Sequence, residues 1–211
     1  MIKVEVDIDY MMLLAMILAF ISIIVLLTWD VLYFARTILV VIWGRIFETS
    51  KNSDQETFIY GMCTTNDLDI LFKHMNNAKY ARELDFARIH FYDRTGIYNA
   101  IVKGRGTVFQ TALIIKFRRT IPLFSTYKIV TKIMHWDEKS IYLEQRFISL
   151  SDNFVKAISY SKQAVVGVNA AEIVTSRMDK DVSYKFEITD EIKHFINFLD
   201  SSSATLRKKD D

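Results

Sequence analysis

Apolar and polar positions divide the chain into a continuous hydrophobic start, a short polar break and a long patterned remainder. From Tyr10 to Trp29 no charged residue occurs and Met, Leu, Ile and Val dominate. That stretch supplies the roughly 20 residues a bilayer-spanning helix needs. A core helix of that length would show a polar face, and none is visible. Residues 31–47 stay apolar but include Tyr33, Arg36, Trp43 and Arg45. They read as an interfacial continuation of the same helix, with aromatic and arginine side chains at headgroup depth. Residues 48–57 are polar and read as a linker.

Beyond the linker the pattern changes period. Phe58–Cys63 is a short apolar run, expected as the first strand. Between Asn77 and about Thr95 the spacing is helical: Tyr80, Leu84, Ala87 and Phe91 share one face. Ala81, Phe86 and Ile89 are apolar on other faces, so this helix is expected to be covered on most sides, with Gly96 as its C-cap. Four strand-like runs follow, Thr107–Arg119, Thr126–Trp136, Lys139–Leu150 and Asn153–Val166, and the sole proline, Pro122, separates the first two. The breaks at 136–139 and 151–153 are short enough for antiparallel hairpins. Thr189 is an expected N-cap, followed by an apolar stripe of Ile192, Phe195, Ile196 and Leu199. One helix followed by a run of antiparallel strands is an α+β arrangement. The expected division is an anchor with its continuation over 1–47, a linker over 48–57, a folded domain over 58–200 and a disordered tail over 201–211.

Composition sharpens this picture. Hydrophobic residues make up 51% of the chain, which the N-terminus explains. A signal peptide would have a basic start and small residues at a cleavage site, whereas this start carries Glu5, Asp7 and Asp9, so the segment reads as a retained anchor. Lys3 is the lone basic residue before the apolar run; Arg36, Arg45 and Lys51 follow it. The positive-inside rule therefore places residues 30–211 in the cytosol. One cysteine, Cys63, excludes a disulfide framework, and no Asn-x-Ser/Thr acceptor occurs. The last residues, Lys208-Lys209-Asp210-Asp211, look like a dilysine retrieval signal, which points to the endoplasmic reticulum. A charged frayed tail is the alternative reading.

A net charge of +2 argues against a nucleic-acid partner. Four histidines and one cysteine form no ligand cluster, so no metal is expected. Gly104-x-Gly106 is the only close glycine pair and no phosphate-cradling loop is visible, so no cofactor is expected either. No Gly-x-Ser-x-Gly elbow occurs.

The chemistry concentrates just ahead of the Asn77 helix. Asp67, Asp69, His74, Asn76 and Asn77 precede or open it. An asparagine there can cap the helix, and the first-turn N–H groups form a partly positive rim able to polarise a carbonyl. Asp67 or Asp69 would then act as base or nucleophile, or both are turn and capping residues. His74 hydrogen-bonds the carbonyl or orients a carboxylate, or is a helix-entry residue satisfied by backbone. Asp85 and Glu83 lie within the helix, where Arg82 and Arg88 are available to pair with them. Cys63 reads as a small buried residue at a strand end.

This segment resembles the hotdog-fold thioesterases, which carry D-x-D…H-V-N-N…Y…E-x-A-R-like signatures at the start of the helix their sheet wraps around. Asp67, Asp69, His74, Asn76, Asn77 and Tyr80 match the front half, and Asp85 with Ala87-Arg88 stands where the back half falls. The match is closest to a membrane-anchored branch with an HMNN-A-[KR]-Y…RE-x-DFAR run, which His135-Trp136-Asp137 and Tyr142–Leu150 also fit. The resemblance covers about residues 58 to 166. It implies a hotdog domain behind a transmembrane helix, a homodimer with shared sites, no cofactor, and acyl-CoA as the ligand. In some hotdog enzymes a carboxylate on the helix is catalytic, which keeps Asp85 in the set. Arg105, Lys116, Arg118 and Arg119 are then candidates for coenzyme A phosphates, or are solvated strand cations. The loop from Asp69 to His74 is one residue longer than in the plant acyl-carrier-protein thioesterases and carries Ile70, Leu71 and Phe72. Two functions follow: an acyl-CoA thioesterase, or a hotdog that binds acyl-CoA, lipid or protein without turnover.

Overall fold

A computed structural model describes residues 8–179 and 189–210. Lys3, Glu5, Asp7 and Asp211, and the side chains of Asp9, Lys208 and Lys209, lie outside the described residues, so the orientation and retrieval readings rest partly there. The apolar start folds as helix α1, Ile8–Thr28, and Tyr10–Thr28 is long and apolar enough to cross a membrane. Two of its polar side chains bond within the helix: Ser22 Oγ donates to Leu18 O and Thr28 Oγ1 to Ile24 O, both at 2.7 Å. That is the arrangement lipid requires. The expected continuation is instead a separate helix, α2, Val31–Phe47. Asp30 Oδ1 accepts the Tyr33 N–H at 3.2 Å, so an aspartate at a helix start ends one helix and opens the next.

The chain divides into two compact units, 1–39 and 40–211. In the second, strand β1 (Thr57–Met62) and a 3₁₀ turn (Thr65–Asp67) lead to helix α3, Asn77–Thr95. Short helix α4 (Ile97–Lys103) follows, then strands β2 (Thr107–Phe117), β3 (Thr126–Trp136), β4 (Ser140–Ser149) and β5 (Val155–Val166). Helices α5 (Ala170–Thr175) and α6 (Asp190–Asp210) end the described chain. The five strands form one antiparallel sheet in the order β1-β3-β4-β5-β2.

Helix α3 is bounded by its caps. Asn76 Oδ1 accepts the Ala78 N–H at 2.9 Å, and Gly96 adopts φ 68°, a left-handed conformation that suits glycine. Leu84, Ala87 and Phe91 are at most 1% exposed. Leu143, Gln145 and Phe147 of β4 are fully buried, Gln145 Nε2 donates to Leu84 O at 2.9 Å, and the Tyr80 and Phe147 rings lie 4.9 Å apart. On the other face of β4, Tyr142 and Glu144 are buried as well, on the side where α6 lies: Ile192 and Phe195 are buried, and Phe195 meets Tyr142 edge-on at 6.5 Å. A sheet wrapped on a buried helix is the hotdog arrangement expected from the sequence.

Several elements differ from expectation. Helices α4 and α5 are too short for periodicity to reveal them. Residues 48–57 are not a free linker: Ser53 is buried, its Oγ donates to Val174 O at 2.8 Å, and the Lys51 N–H bonds Arg94 O at 3.0 Å. The tail expected to be disordered from residue 201 continues α6 to Asp210. No glycine or proline interrupts it, and Thr205 Oγ1 bonds Ser201 O at 3.0 Å.

The end of α2 is fastened to α3 by polar groups. Arg94, 8% exposed, donates from Nη1 to Gly44 O at 2.6 Å and Glu48 O at 3.1 Å, and from Nη2 to Asp93 at 2.6 Å. Buried His90 bonds Glu48 Oε2 through Nε2 at 3.0 Å. A Cβ on Gly44 would stand 3.1 Å from that nitrogen, so glycine permits the close approach. Burial lowers the His90 pKa from 6.5, against the opposing pull of Glu48. A lowered folded value means the unfolded chain binds the proton more readily, so stability is full above about pH 6.5 and declines as pH falls toward the folded value. Thermal melts of the intact chain from about pH 7.5 to 5.5 should show that slope, and His90→Gln should flatten it.

Candidate functional site

The structure gathers Asp67, Asp69, His74, Asn76 and Asn77 at the N-terminus of α3. The loop is closed by backbone pairing of Leu68 with Met75 and of His74 with Pro122, and the Asn76 N–H bonds Asp67 O at 2.7 Å. Within this cluster the residues differ in what remains available. Asp67 is buried, and its Oδ2 accepts both the N–H (2.8 Å) and the Oγ1–H (2.7 Å) of Thr64 in a capping box. Its Oδ1 lies 3.9 Å from Lys79 Nζ. Asn76 spends its side-chain oxygen on the helix cap, while Asn77 occupies the first helical position with its side chain exposed.

Asp69 is placed differently. One oxygen accepts the N–H groups of Lys73 (3.0 Å) and His74 (3.4 Å), and the other faces His74 Nε2 at 3.8 Å. The Lys73 N–H holds the Asp69 carboxyl below its usual range, opposed in part by desolvation. His74 Nδ1 lies 3.2 Å from Met75 O, which fixes the ring with its side chain 37% exposed. A fixed carboxylate beside an accessible imidazole, at the mouth of a capped helix, can hold a proton-transfer partner and a polarised carbonyl together.

Asp85 belongs elsewhere. It lies nine positions beyond Asn76, about 13 Å along the helix axis. Its Oδ1 pairs with Arg88 Nη2 at 2.5 Å, and Arg88 also donates to Gln110 Oε1. Gln163 continues the chain of bonds to Gln110 (3.3 Å) and Ser161 (3.0 Å). The sequence reading missed this network. Its signal is Ser159-x-Ser161-x-Gln163, uncharged polar residues alternating on one face of a long strand, all buried here. Arg88, Gln110 and Gln163 border a cleft of about 420 Å³ whose other walls include Val41, Ile89 and Phe109.

Glu83 is 2% exposed and accepts the Tyr127 O–H at 2.8 Å, a buried carboxylate held by a tyrosine. Cys63 is fully buried just past β1, the small buried strand-end residue the sequence suggested, and burial pushes its thiol up to about 11. The four cations split. Arg105 precedes β2 and Lys116 lies near its end, about 35 Å apart at strand rise. Lys116, Arg118 and Arg119 share the end of the sheet near the α3 N-terminus, where Met75 N–H bonds Ile121 O and the two arginines stack on Phe154 at 4.6 and 3.9 Å. Among the described residues no group of His, Cys, Asp and Glu has metal-site geometry.

Residues 63–186 match the model of the thioesterase-like superfamily. Protein THEM6 of Drosophila melanogaster is 46% identical over 180 residues, covering 85% of this chain and 92% of that one. Protein THEM6 of Xenopus laevis is 39% identical, covering 84% and 85%. Among solved structures, a hypothetical protein from Thermus thermophilus overlays with a TM-score of 0.51 at 13% identity, covering 60% of this chain and all of that one, a likeness of fold.

Proposed function

The chain belongs to the thioesterase-like superfamily, and on that premise we propose that it is a membrane-anchored protein that hydrolyses fatty acyl-CoA at the N-terminus of α3. The observation that carries this reading is Asp69, a carboxylate kept ionised by backbone N–H groups and set 3.8 Å from an accessible His74 ring. The thioester carbonyl sits over the first turn of α3, where helix N–H groups stabilise the developing oxyanion. Asp69 and His74 take the proton from water as its oxygen attacks the carbonyl carbon. The C–S bond then breaks, the proton passes to sulfur, and a fatty acid and the free thiol of coenzyme A leave. Lys116, Arg118 and Arg119 stand at the same end for the phosphates, and the apolar cleft beside β2 takes the acyl chain. Release of thiol from a panel of acyl-CoA esters by the intact, membrane-embedded chain tests this reading. No release above that of empty membranes would overturn it.

A second reading, binding without turnover, has its own support: Asp67 is committed to a capping box and Asp85 to Arg88, so two of three candidate carboxylates already serve the fold. Binding of a non-hydrolysable acyl-CoA analogue without turnover of the ester would select it.

Dimerisation belongs to the same proposal. Among the described residues strand β2 pairs only with β5, and Phe109, Ile114 and Phe117 are exposed along it. A long apolar edge strand invites pairing. Antiparallel pairing of two β2 edges would also bring Arg105 back toward Lys116, Arg118 and Arg119. Ile114→Lys should shift the detergent-solubilised chain from dimer to monomer mass by sedimentation; an unchanged mass would remove this edge as the interface. The cytosolic placement of residues 30–211 rests on the charge order around α1. A glycosylation tag should be modified at the N-terminus and unmodified at the C-terminus; the reverse pattern would overturn the cytosolic placement.

A further inference from the structure

The loop ahead of α3 displays three consecutive large apolar side chains to solvent: Ile70 at 88%, Leu71 at 65% and Phe72 at 76% exposure. Phe124, at 64%, lies on the neighbouring β2–β3 connection, which the His74–Pro122 pairing and the Met75 N–H to Ile121 O bond (2.8 Å) tie to this loop. Phe72 and Phe124 both adopt left-handed backbone, φ 55° and 59°. Bulky residues hold that conformation only where surrounding bonds impose it. Here the Phe72 N–H bonds Asp69 O (3.0 Å), the Asp69 N–H bonds His74 O (2.9 Å), and the Phe124 N–H bonds Cys63 O (2.8 Å). The apolar tip is therefore presented on a fixed backbone.

We propose that Ile70, Leu71, Phe72 and Phe124 form a finger that inserts into the interface of an anionic lipid bilayer. Charge selects the bilayer over a protein partner: exposed Lys73 adjoins the tip, and exposed Arg118 and Arg119 lie on the segment leading to Pro122. Large apolar side chains with Lys73 beside them and two arginines on the adjoining segment, which outnumber the Asp69 carboxylate, match acyl chains beneath anionic headgroups. The same chain carries α1, a candidate span, so the finger would meet the bilayer at high effective concentration. A functional consequence rests on the acyl-thioester reading above. Asp69 and His74 belong to the finger's own loop, so insertion would set them at headgroup level, where a membrane-partitioned acyl thioester presents its carbonyl.

Depth-resolved fluorescence tests the insertion apart from turnover. Leu71→Cys in the full chain, reconstituted in phosphatidylcholine vesicles with and without phosphatidylserine, is labelled with a polarity-sensitive thiol dye, and Cys63→Ser removes the background thiol. Asn99→Cys, exposed on α4, is the control position. Lipids bearing a nitroxide near the headgroup should quench the label at 71 at least roughly twofold, more so with phosphatidylserine, and spare the label at 99. Ile70→Ser with Phe72→Ser should abolish that quenching. A label at 71 that iodide reaches and lipid nitroxide does not would overturn the proposal, showing a solvated loop. Shielding from both quenchers would overturn it in favour of a second copy covering the loop. Acyl-CoA hydrolysis measured on the same samples keeps failure of insertion distinct from failure of catalysis.

Discussion

Asp69→Asn should lower acyl-CoA turnover by about a hundredfold or more while leaving the thermal midpoint nearly unchanged. Asparagine retains an oxygen for the Lys73 and His74 N–H groups, so the loop keeps its shape, but it can neither take a proton nor attack a carbonyl. Asp67→Asn should behave in the opposite way. Both bonds to Thr64 converge on one carboxylate oxygen, so weakening the capping box should cost about 1 kcal/mol of stability and little turnover. Because Asp69 is held ionised below its ordinary value of 3.8, the acid limb of the rate profile that depends on it should also fall below that pH. Steady-state kinetics and melts on the two variants check the contrast. If Asp69→Asn hydrolyses as the parent does, the carboxylate mechanism is wrong.

Arg94→Ala should destabilise the second unit by about 3 kcal/mol, because a buried charge-assisted cluster loses its centre. Glu48 O would lose the Arg94 donor, Gly44 O would keep only the Glu48 N–H at 3.0 Å, and Asp93 would lose one of its two arginines. For a unit of this size that is a fall in midpoint of roughly 6–12 °C. Arg94→Lys should recover little, since a single ammonium cannot reach the carbonyls and the carboxylate together as the planar fork does. Melts of the intact chain measure the size of the effect. Hydrogen exchange should show the Lys51 amide, bonded to Arg94 O, losing protection. An unchanged midpoint would show that the Arg94 bonds do not hold the end of α2.

Much of the domain is legible in the sequence because its signals are local. The boundaries of α3 follow from Asn76 and Gly96, whose side chain and backbone freedom act on the residues beside them. The hairpin between β3 and β4 follows from Asp137, whose carboxylate accepts the Lys139 N–H at 2.7 Å. The span of α1 follows from composition alone. Residues 48–57 misled because polarity in a short segment marks a surface, not freedom: Ser53 finds its partner in Val174, far along the chain.

The candidate site divides along the same line. Sequence placed Asp67, Asp69, His74 and Asn76 together because they are neighbours ahead of one helix start. Local loop geometry separates their roles, giving Asp67 to Thr64 three residues before it and leaving Asp69 facing His74 five residues on. The helix itself removes Asp85 to a second network, since nine positions of helix are a fixed distance that no side chain spans. Gln110, Gln163, His90 with Glu48, and Arg94 with Gly44 were invisible beforehand, as each pair joins segments distant in the chain. Capping, periodicity and bilayer-length apolarity are properties of consecutive residues, so the sequence determined the elements. The bonds of Gln110 with Gln163, His90 with Glu48 and Arg94 with Gly44 depend on partners that meet only when those elements pack.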